Sequence, residues 1–157
     1  MNYSGKRRET EKQEPRGLKG IRKEDKVGGK RKNRNPAALA AQKGENMIVE
    51  NLYGAEGIKT ISKGEGARKI KGVFCCDMLS VAMSKAPAGA CWVTVVSNLN
   101  TLAVASLTDC SCVVIAGGVA VGEDVKAKAE SEGISLFTCD EPVFETALMV
   151  HNLLHVT

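Results

Sequence analysis

The chain has 157 residues, with 22 Lys and Arg against 18 Asp and Glu, a formal net charge of +4, and 4% aromatic residues. That length is enough for one domain with a sizeable core. No stretch approaches the ~18 consecutive apolar residues that read as a membrane span. The charged N-terminus has no apolar segment behind it, so a cytoplasmic protein is expected rather than a secreted one.

The charge is uneven. Residues 1–46 hold 14 of the cations and 6 of the anions, a net of 14 − 6 = +8, and residues 47–157 hold the other 8 and 12, a net of −4. Residues 1–46 contain too few large apolar groups to order themselves. They read as a disordered basic tail, or as an extension upstream of a start at Met47. Nucleic-acid binding by this tail is not expected, because aromatic residues do not interleave with its basic ones as base stacking requires. Gly28-Gly29-Lys30 is followed by Arg31 and lacks the upstream glycine of a phosphate loop, so kinase chemistry is not indicated.

From residue 47 the pattern becomes that of a folded domain. Residues 47–53 predict a short helix ending at Gly54. Residues 58–61 predict a strand, 63–66 a turn and 70–76 a second strand. Asp77 is placed to cap a helix over 78–86, which Pro87 and Gly89 stop. Residues 91–118 form the most informative stretch. Trp92, Val93, Val95 and Val96 are one nearly continuous apolar run, and Cys112 to Ala116 are another. Such runs fit strands covered on both faces, as in parallel sheets. Between them, 99–107 predicts a helix capped by Asn98 or Asn100, with Leu99, Leu102, Ala103, Ser106 and Leu107 on one face. Residues 122–133 predict a solvent-facing helix closed by glycine, and 135–139 a strand. Asp140 and Pro142 open a last helix with Val143, Phe144, Ala147, Leu148, His151 and Leu154 on its face. Helices alternating with strands over short loops mean an α/β three-layer sandwich with a mainly parallel sheet.

Four blocks, GEGARKIKGVFCCDMLSVAM (64–83), GACWVTVVSNLNTLAVAS (89–106), VVIAGG (113–118) and EGISLFTCDEPVFETA (132–147), together resemble the DRTGG domain family. They are also similar to the N-terminal domains of HPr kinase/phosphorylase and, more distantly, of Mur ligases. The resemblance covers residues 47–157 and places the chain as a stand-alone member. In the segment that names the family, Arg68 and Gly72 match, while Ala67 and Val73 stand where the family has an aspartate and a second glycine. The resemblance implies an accessory or regulatory domain that is not itself a catalyst. It also implies small members found beside hydrogenase genes and, by analogy with Mur ligases, a nucleotide or other anionic ligand.

In open α/β sheets, ligands sit outside the C-terminal ends of the strands. That edge brings Ser97, Asn98, Asn100, Gly117 and Gly118 forward as ligand-binding candidates, and the family segment adds Arg68 and Gly72. No catalytic set is assembled. Asp77, Asp109, Asp124 and Asp140 are all explained as caps or turn residues. The six cysteines (Cys75, Cys76, Cys91, Cys110, Cys112, Cys139) lack C-x-x-C spacing and read as buried, reduced packing residues, with no metal and no cofactor expected. A thiolate at Cys75 or Cys76 near a helix N-terminus is the minor redox reading. His151 and His155, four apart, read as a helix end favoured by its dipole. The expected function is a non-catalytic regulatory or ligand-sensing domain, homodimeric. The alternative is an accessory protein of a hydrogenase-type redox enzyme acting through protein contacts or cysteines.

Overall fold

In the computed structural model, residues 47–155 are described, and the expectation of a disordered tail over 1–46 lies outside them. A 3₁₀ turn over Val49–Leu52 replaces the predicted first helix. It is followed by β1 (Ile58–Ser62), β2 (Gly72–Cys75), α1 (Leu79–Lys85), β3 (Ala90–Thr94) and α2 (Leu99–Leu107). Then come β4 (Cys112–Ile115), α3 (Glu123–Ser131), β5 (Leu136–Cys139) and α4 (Val143–His155). None of these helices is long and apolar enough to cross a membrane.

The strands form one five-stranded sheet in the order β1-β5-β4-β3-β2. β2 to β5 are mutually parallel, and β1 pairs antiparallel with β5, so the sheet is mixed rather than purely parallel. Each of α1, α2 and α3 joins neighbouring parallel strands in the same direction. Right-handed crossovers therefore place all three on one face. The buried cluster there contains Ala82 of α1, Leu102 and Ala105 of α2, and Val125 and Ala129 of α3, against Trp92, Val113 and Ile115. The opposite face packs Val49 and Leu52 of the 3₁₀ turn and Val150 and Leu154 of α4 against Cys91, Val93, Val114 and Phe137. Helices thus cover both faces. Trp92 is fully buried, and its indole N–H donates to the Cys76 carbonyl at 2.9 Å, as a buried indole requires.

Two predicted helix faces are rotated. On α2 the buried residues are Thr101, Leu102 and Ala105, while Leu99 and Leu107 are exposed. On α4 they are Thr146, Val150 and Leu154, while Phe144 and Leu148 are exposed. In both helices a threonine goes inside because its hydroxyl is satisfied locally. Thr101 Oγ1 donates to the Val96 carbonyl at 2.8 Å, and Thr146 Oγ1 donates to the Glu141 carbonyl at 2.9 Å. A threonine bonded in this way is buried at little cost.

β1 and β2 lie at opposite edges of the sheet, so residues 63–71 must cross the whole N-terminal edge of the parallel strands. This strap is tied down along its length. The Gly64 amide donates to Ser135 Oγ at 3.1 Å, the Ser111 hydroxyl donates to the Lys69 carbonyl at 2.7 Å, and the Lys71 amide donates to the Gly89 carbonyl at 2.8 Å.

Candidate functional site

The sequence-predicted site residues divide between the two ends of the sheet. Ser97, Asn98, Asn100, Gly117 and Gly118 gather at the C-terminal ends of β3 and β4. Arg68 and Gly72 belong to the strap and the start of β2, at the N-terminal end. The seven residues do not form one site.

At the C-terminal edge, the loop after β3 is fixed by Asp77. Its Oδ1 accepts from Thr94 Oγ1 at 2.8 Å and from the Val95 amide at 2.9 Å. Asp77 therefore does not cap α1, whose N-cap is Met78 without a side-chain bond. Asn98, rather than Asn100, caps α2, its Oδ1 accepting from the Thr101 amide at 3.0 Å. Asn100 stands exposed two residues further on. Ser97 is half-buried, and its Oγ is buried without a hydrogen-bond partner.

The connection after β4 leads to α3 on one face of the sheet, and the connection after β5 leads to α4 on the other. A crevice is expected where neighbouring connections diverge in this way. Gly117 and Gly118 lie there with φ of 73° and 66°, the left-handed region that glycine tolerates. Their amides are already committed. The Gly117 N–H donates to the Glu141 carbonyl at 2.7 Å, and the Gly118 N–H donates to the Cys139 carbonyl at 3.0 Å. The two loops are joined across the crevice, and neither amide is left to cradle a phosphate.

Charge at this edge is acidic. Asp77 follows β2, Glu123 and Asp124 open α3, and Asp140 and Glu141 follow β5. Lys59 pairs with Asp140 at 2.9 Å, but both side chains are well exposed, so the pair contributes little. The N-terminal edge is the reverse, with Lys63, Arg68, Lys69 and Lys71 all in the strap. Arg68 Nη2 donates to the Asp109 carboxylate and, at 3.2 Å, to its carbonyl. Asp109 has φ of 57°, and the same carbonyl accepts from the Gly89 amide at 2.8 Å. Since Gly89 in turn accepts from Lys71, Arg68 links the strap, the α2–β4 turn and the α1–β3 turn into a closed ring. Nothing in the structure requires a glycine at 72, where an added Cβ would have nothing within 4 Å.

The cysteines are spread over four strands and two loops. Cys91, Cys110, Cys112 and Cys139 are buried, and Cys75 is exposed at the end of β2. Cys91 and Cys112 are register partners on β3 and β4. The hydrogen bond with Cys91, followed by burial, pushes the Cys112 thiol well above its ordinary range. Burial likewise raises Cys75 and Cys110. A raised pKa is the opposite of an activated thiolate, so at Cys75 the redox reading finds no support. The His151 and His155 rings stack at 4.1 Å, with His155 Nδ1 2.7 Å from the His151 carbonyl oxygen. Among the described residues, no three or more His, Cys, Asp or Glu are placed to hold a metal.

Sequence reasoning missed a groove of about 500 Å³ between residues 56–57 and α4, lined by Glu56, Gly57, Glu141, Met149, Asn152 and Leu153. Its parts lie far apart in the chain, so no local motif marks it. Asp77 was visible as an acid before a helix, which is the signal of a cap. Its recruitment to β3 depends on strand pairing that no local pattern carries.

No family model matches the chain. No curated protein matches it either. Among solved structures it is similar to the CBS and DRTGG domains of the regulatory region of Clostridium perfringens pyrophosphatase, a structure complexed with the activator diadenosine tetraphosphate. The TM-score is 0.58 at 13% sequence identity, over 73% of this chain and 50% of that one. The chain therefore spans half the length of the regulatory region it matches. At that identity the likeness is one of fold: the chain shares the α/β architecture of a CBS and DRTGG domain region.

Proposed function

We propose that this chain is a non-catalytic regulatory domain that responds to a small nucleotide ligand. The observation that carries the reading is the fold shared with a regulatory region whose solved structure holds a nucleotide activator. The C-terminal edge is the proposed ligand face. There the Asp77 brace holds the loop carrying Ser97, whose buried and unpartnered Oγ is uncovered when that loop moves, and Asn100 stands exposed beside it. The acidic surroundings and the committed glycine amides set the form of the ligand. A nucleotide docks as its magnesium complex, with sugar or base hydrogen-bonded to Ser97 and Asn100, since bare phosphate meets carboxylates and no free amides at the glycine turn.

Thermal melts with ATP and with diadenosine tetraphosphate, each with and without Mg²⁺, test this. Ligand at about one hundred times its Kd stabilises by about 2.7 kcal/mol, on the order of 10 °C for a domain of this size. The shift should need Mg²⁺ and should shrink in Ser97→Ala and Asn100→Ala but not in Lys69→Glu. No shift with either nucleotide would sink the nucleotide reading. A shift lost only in Lys69→Glu would move the ligand to the basic strap.

A further inference from the structure

The groove beside α4 plays no part in the nucleotide reading, and three parts of the chain build it. Ile58, the first residue of β1, pairs with Cys139, the last of β5, so Glu56 and Gly57 are brought beside Glu141 just past the strand ends. The third part is α4, which presents Met149, Asn152 and Leu153 at i, i+3 and i+4, one flank of the helix. The space of about 500 Å³ falls within the ~300–1,000 Å³ of small-molecule sites. Gly57 keeps it open. Its φ is 77°, and a Cβ there would stand 3.1 Å from Met149 Cε and 3.5 Å from the Met149 sulfur. A side chain at this position would press on the thioether; glycine leaves it as part of an apolar floor.

The lining joins two kinds of surface. Met149 and Leu153 are apolar, and Leu153 is 39% exposed. Glu56 and Glu141 are acidic and exposed, and Glu145, also exposed, stands one helical turn before Met149. Among the described residues, no Lys, Arg or His lines the groove. The ion pairs among the described residues are Lys59–Asp140, Arg68–Asp109 and Lys128–Glu132, so none of these three glutamates has a cation of its own. Lys59, three residues from Glu56, is already bonded to Asp140 at 2.9 Å. Asn152 adds a carbonyl oxygen that can accept an N–H.

We propose that this groove binds a linear aliphatic polyamine, with ammonium groups on Glu56 and Glu141 and the methylene chain between them lying over Met149 and Leu153. The class of ligand follows from what the lining rejects. A nucleotide or other anion meets carboxylates there and no cation. A bare divalent ion needs oxygen ligands gathered closely around it, and among the described residues no three His, Cys, Asp or Glu are so placed. A monoamine leaves one glutamate uncompensated, and an uncharged apolar molecule leaves both. A polyamine alternates cationic nitrogens with apolar spacers, as the groove alternates glutamates with thioether and leucine. Each terminal ammonium has three N–H donors, enough to reach the Asn152 carbonyl as well as a carboxylate. The methylenes cover the apolar floor as a lysine stem covers apolar surface, with the charge kept at the wet end.

The test is isothermal titration calorimetry of the full chain with spermidine at low ionic strength, where exposed charges are screened least. One saturable site per chain is expected. Glu56→Gln and Glu141→Gln should each weaken binding at least fivefold, and Leu153→Lys, which puts an ammonium into the groove, should abolish it. All three side chains face solvent, so the variants should melt close to wild type. Glu123→Gln, at an acid that opens α3, should bind as wild type does. Of two diamines with the same charge, 1,8-diaminooctane should bind at least threefold tighter than 1,4-diaminobutane, because its longer spacer covers more of the floor. The absence of saturable binding overturns the proposal, as does binding that survives all three groove substitutions. A loss in Glu123→Gln as large as in the groove variants, or equal affinity for the two diamines, also overturns it, since acidic surface alone then holds the amine.

Discussion

Asp77 offers a sharp test of how the C-terminal edge is built. One oxygen, Oδ1, accepts both the Thr94 hydroxyl and the Val95 amide. Thr94 is fully buried, so its hydroxyl has no water to turn to when the acceptor is removed, whereas the Val95 amide is near solvent and recovers part of its loss. A hydrogen bond to a charged acceptor contributes about 1.5–3 kcal/mol. Counting the Thr94 bond in full and the Val95 bond in part, Asp77→Ala should cost about 2–3 kcal/mol. For a domain of this size that lowers Tm by about 10–15 °C. Asp77→Asn retains an Oδ1 acceptor in the same place and loses only the charge, so its cost should stay under about 1 kcal/mol. Denaturant unfolding of the three proteins side by side reads both differences. If the asparagine variant is as unstable as the alanine one, the charge rather than the shared acceptor matters and the argument fails. If alanine falls within about 0.5 kcal/mol of wild type, the ordinary range of an unremarkable surface change, the brace holds nothing.

A glycine inside the strap and one just after it should respond oppositely to alanine. At Gly64 a Cβ would sit 2.0 Å from the Gly133 carbonyl oxygen and 2.6 Å from the Ser135 nitrogen, both backbone, so the loss in denaturant unfolding should be about 3 kcal/mol or more; at Gly72, with open space, alanine should be neutral or slightly stabilising. Arg68→Ala opens the ring through Asp109 and Gly89 and should lower stability by about 1–2 kcal/mol, discounted because the Arg68 side chain is 31% exposed; its nucleotide-induced melting shift should stay as large as in wild type. Stability should also fall at alkaline pH. The Cys75, Cys110 and Cys112 pKa values are raised in the folded state above their ordinary value of 9.0, so their contribution is fully present below pH 9 and is lost as pH rises through the folded values. Unfolding curves collected from pH 7 upward should show this decline, and Cys112→Ala should flatten it.

The alternation of strands and helices was legible because each element carries its own local cues. The valine and isoleucine run of β4, the asparagine cap of α2 and the glycine closing α3 are each sufficient by themselves. The direction of β1 was not legible. It follows from the strap's route across the sheet, and that route depends on contacts with Ser111, Gly89 and Ser135 in later parts of the chain. The faces of α2 and α4 were misjudged because hydropathy counts threonine as polar, whereas Thr101 and Thr146 satisfy their hydroxyls on nearby carbonyls and leave leucine and phenylalanine outside. The candidate site was legible only in part. Residues just after parallel strands are easily placed at the C-terminal edge, but whether a glycine amide is free depends on the neighbouring loop. Here Glu141 and Cys139 take both.

The family-like segment and the candidate ligand edge therefore do different work. Arg68, the residue through which the strap most resembles its namesake, spends its hydrogen bonds on Asp109 and so on holding three turns together. The strap also concentrates four of the eight cations of residues 47–157 at the N-terminal edge, while Asp77, Glu123, Asp124, Asp140 and Glu141 place five of the twelve anions at the other. At the Debye length of about 8 Å in physiological salt, charges at opposite ends of the sheet barely feel one another. Each edge therefore selects by its own sign, and an anionic ligand reaching the C-terminal edge has to bring a cation with it. Under the proposed nucleotide reading, the expected dependence of the response on Mg²⁺ follows from this partition of charge.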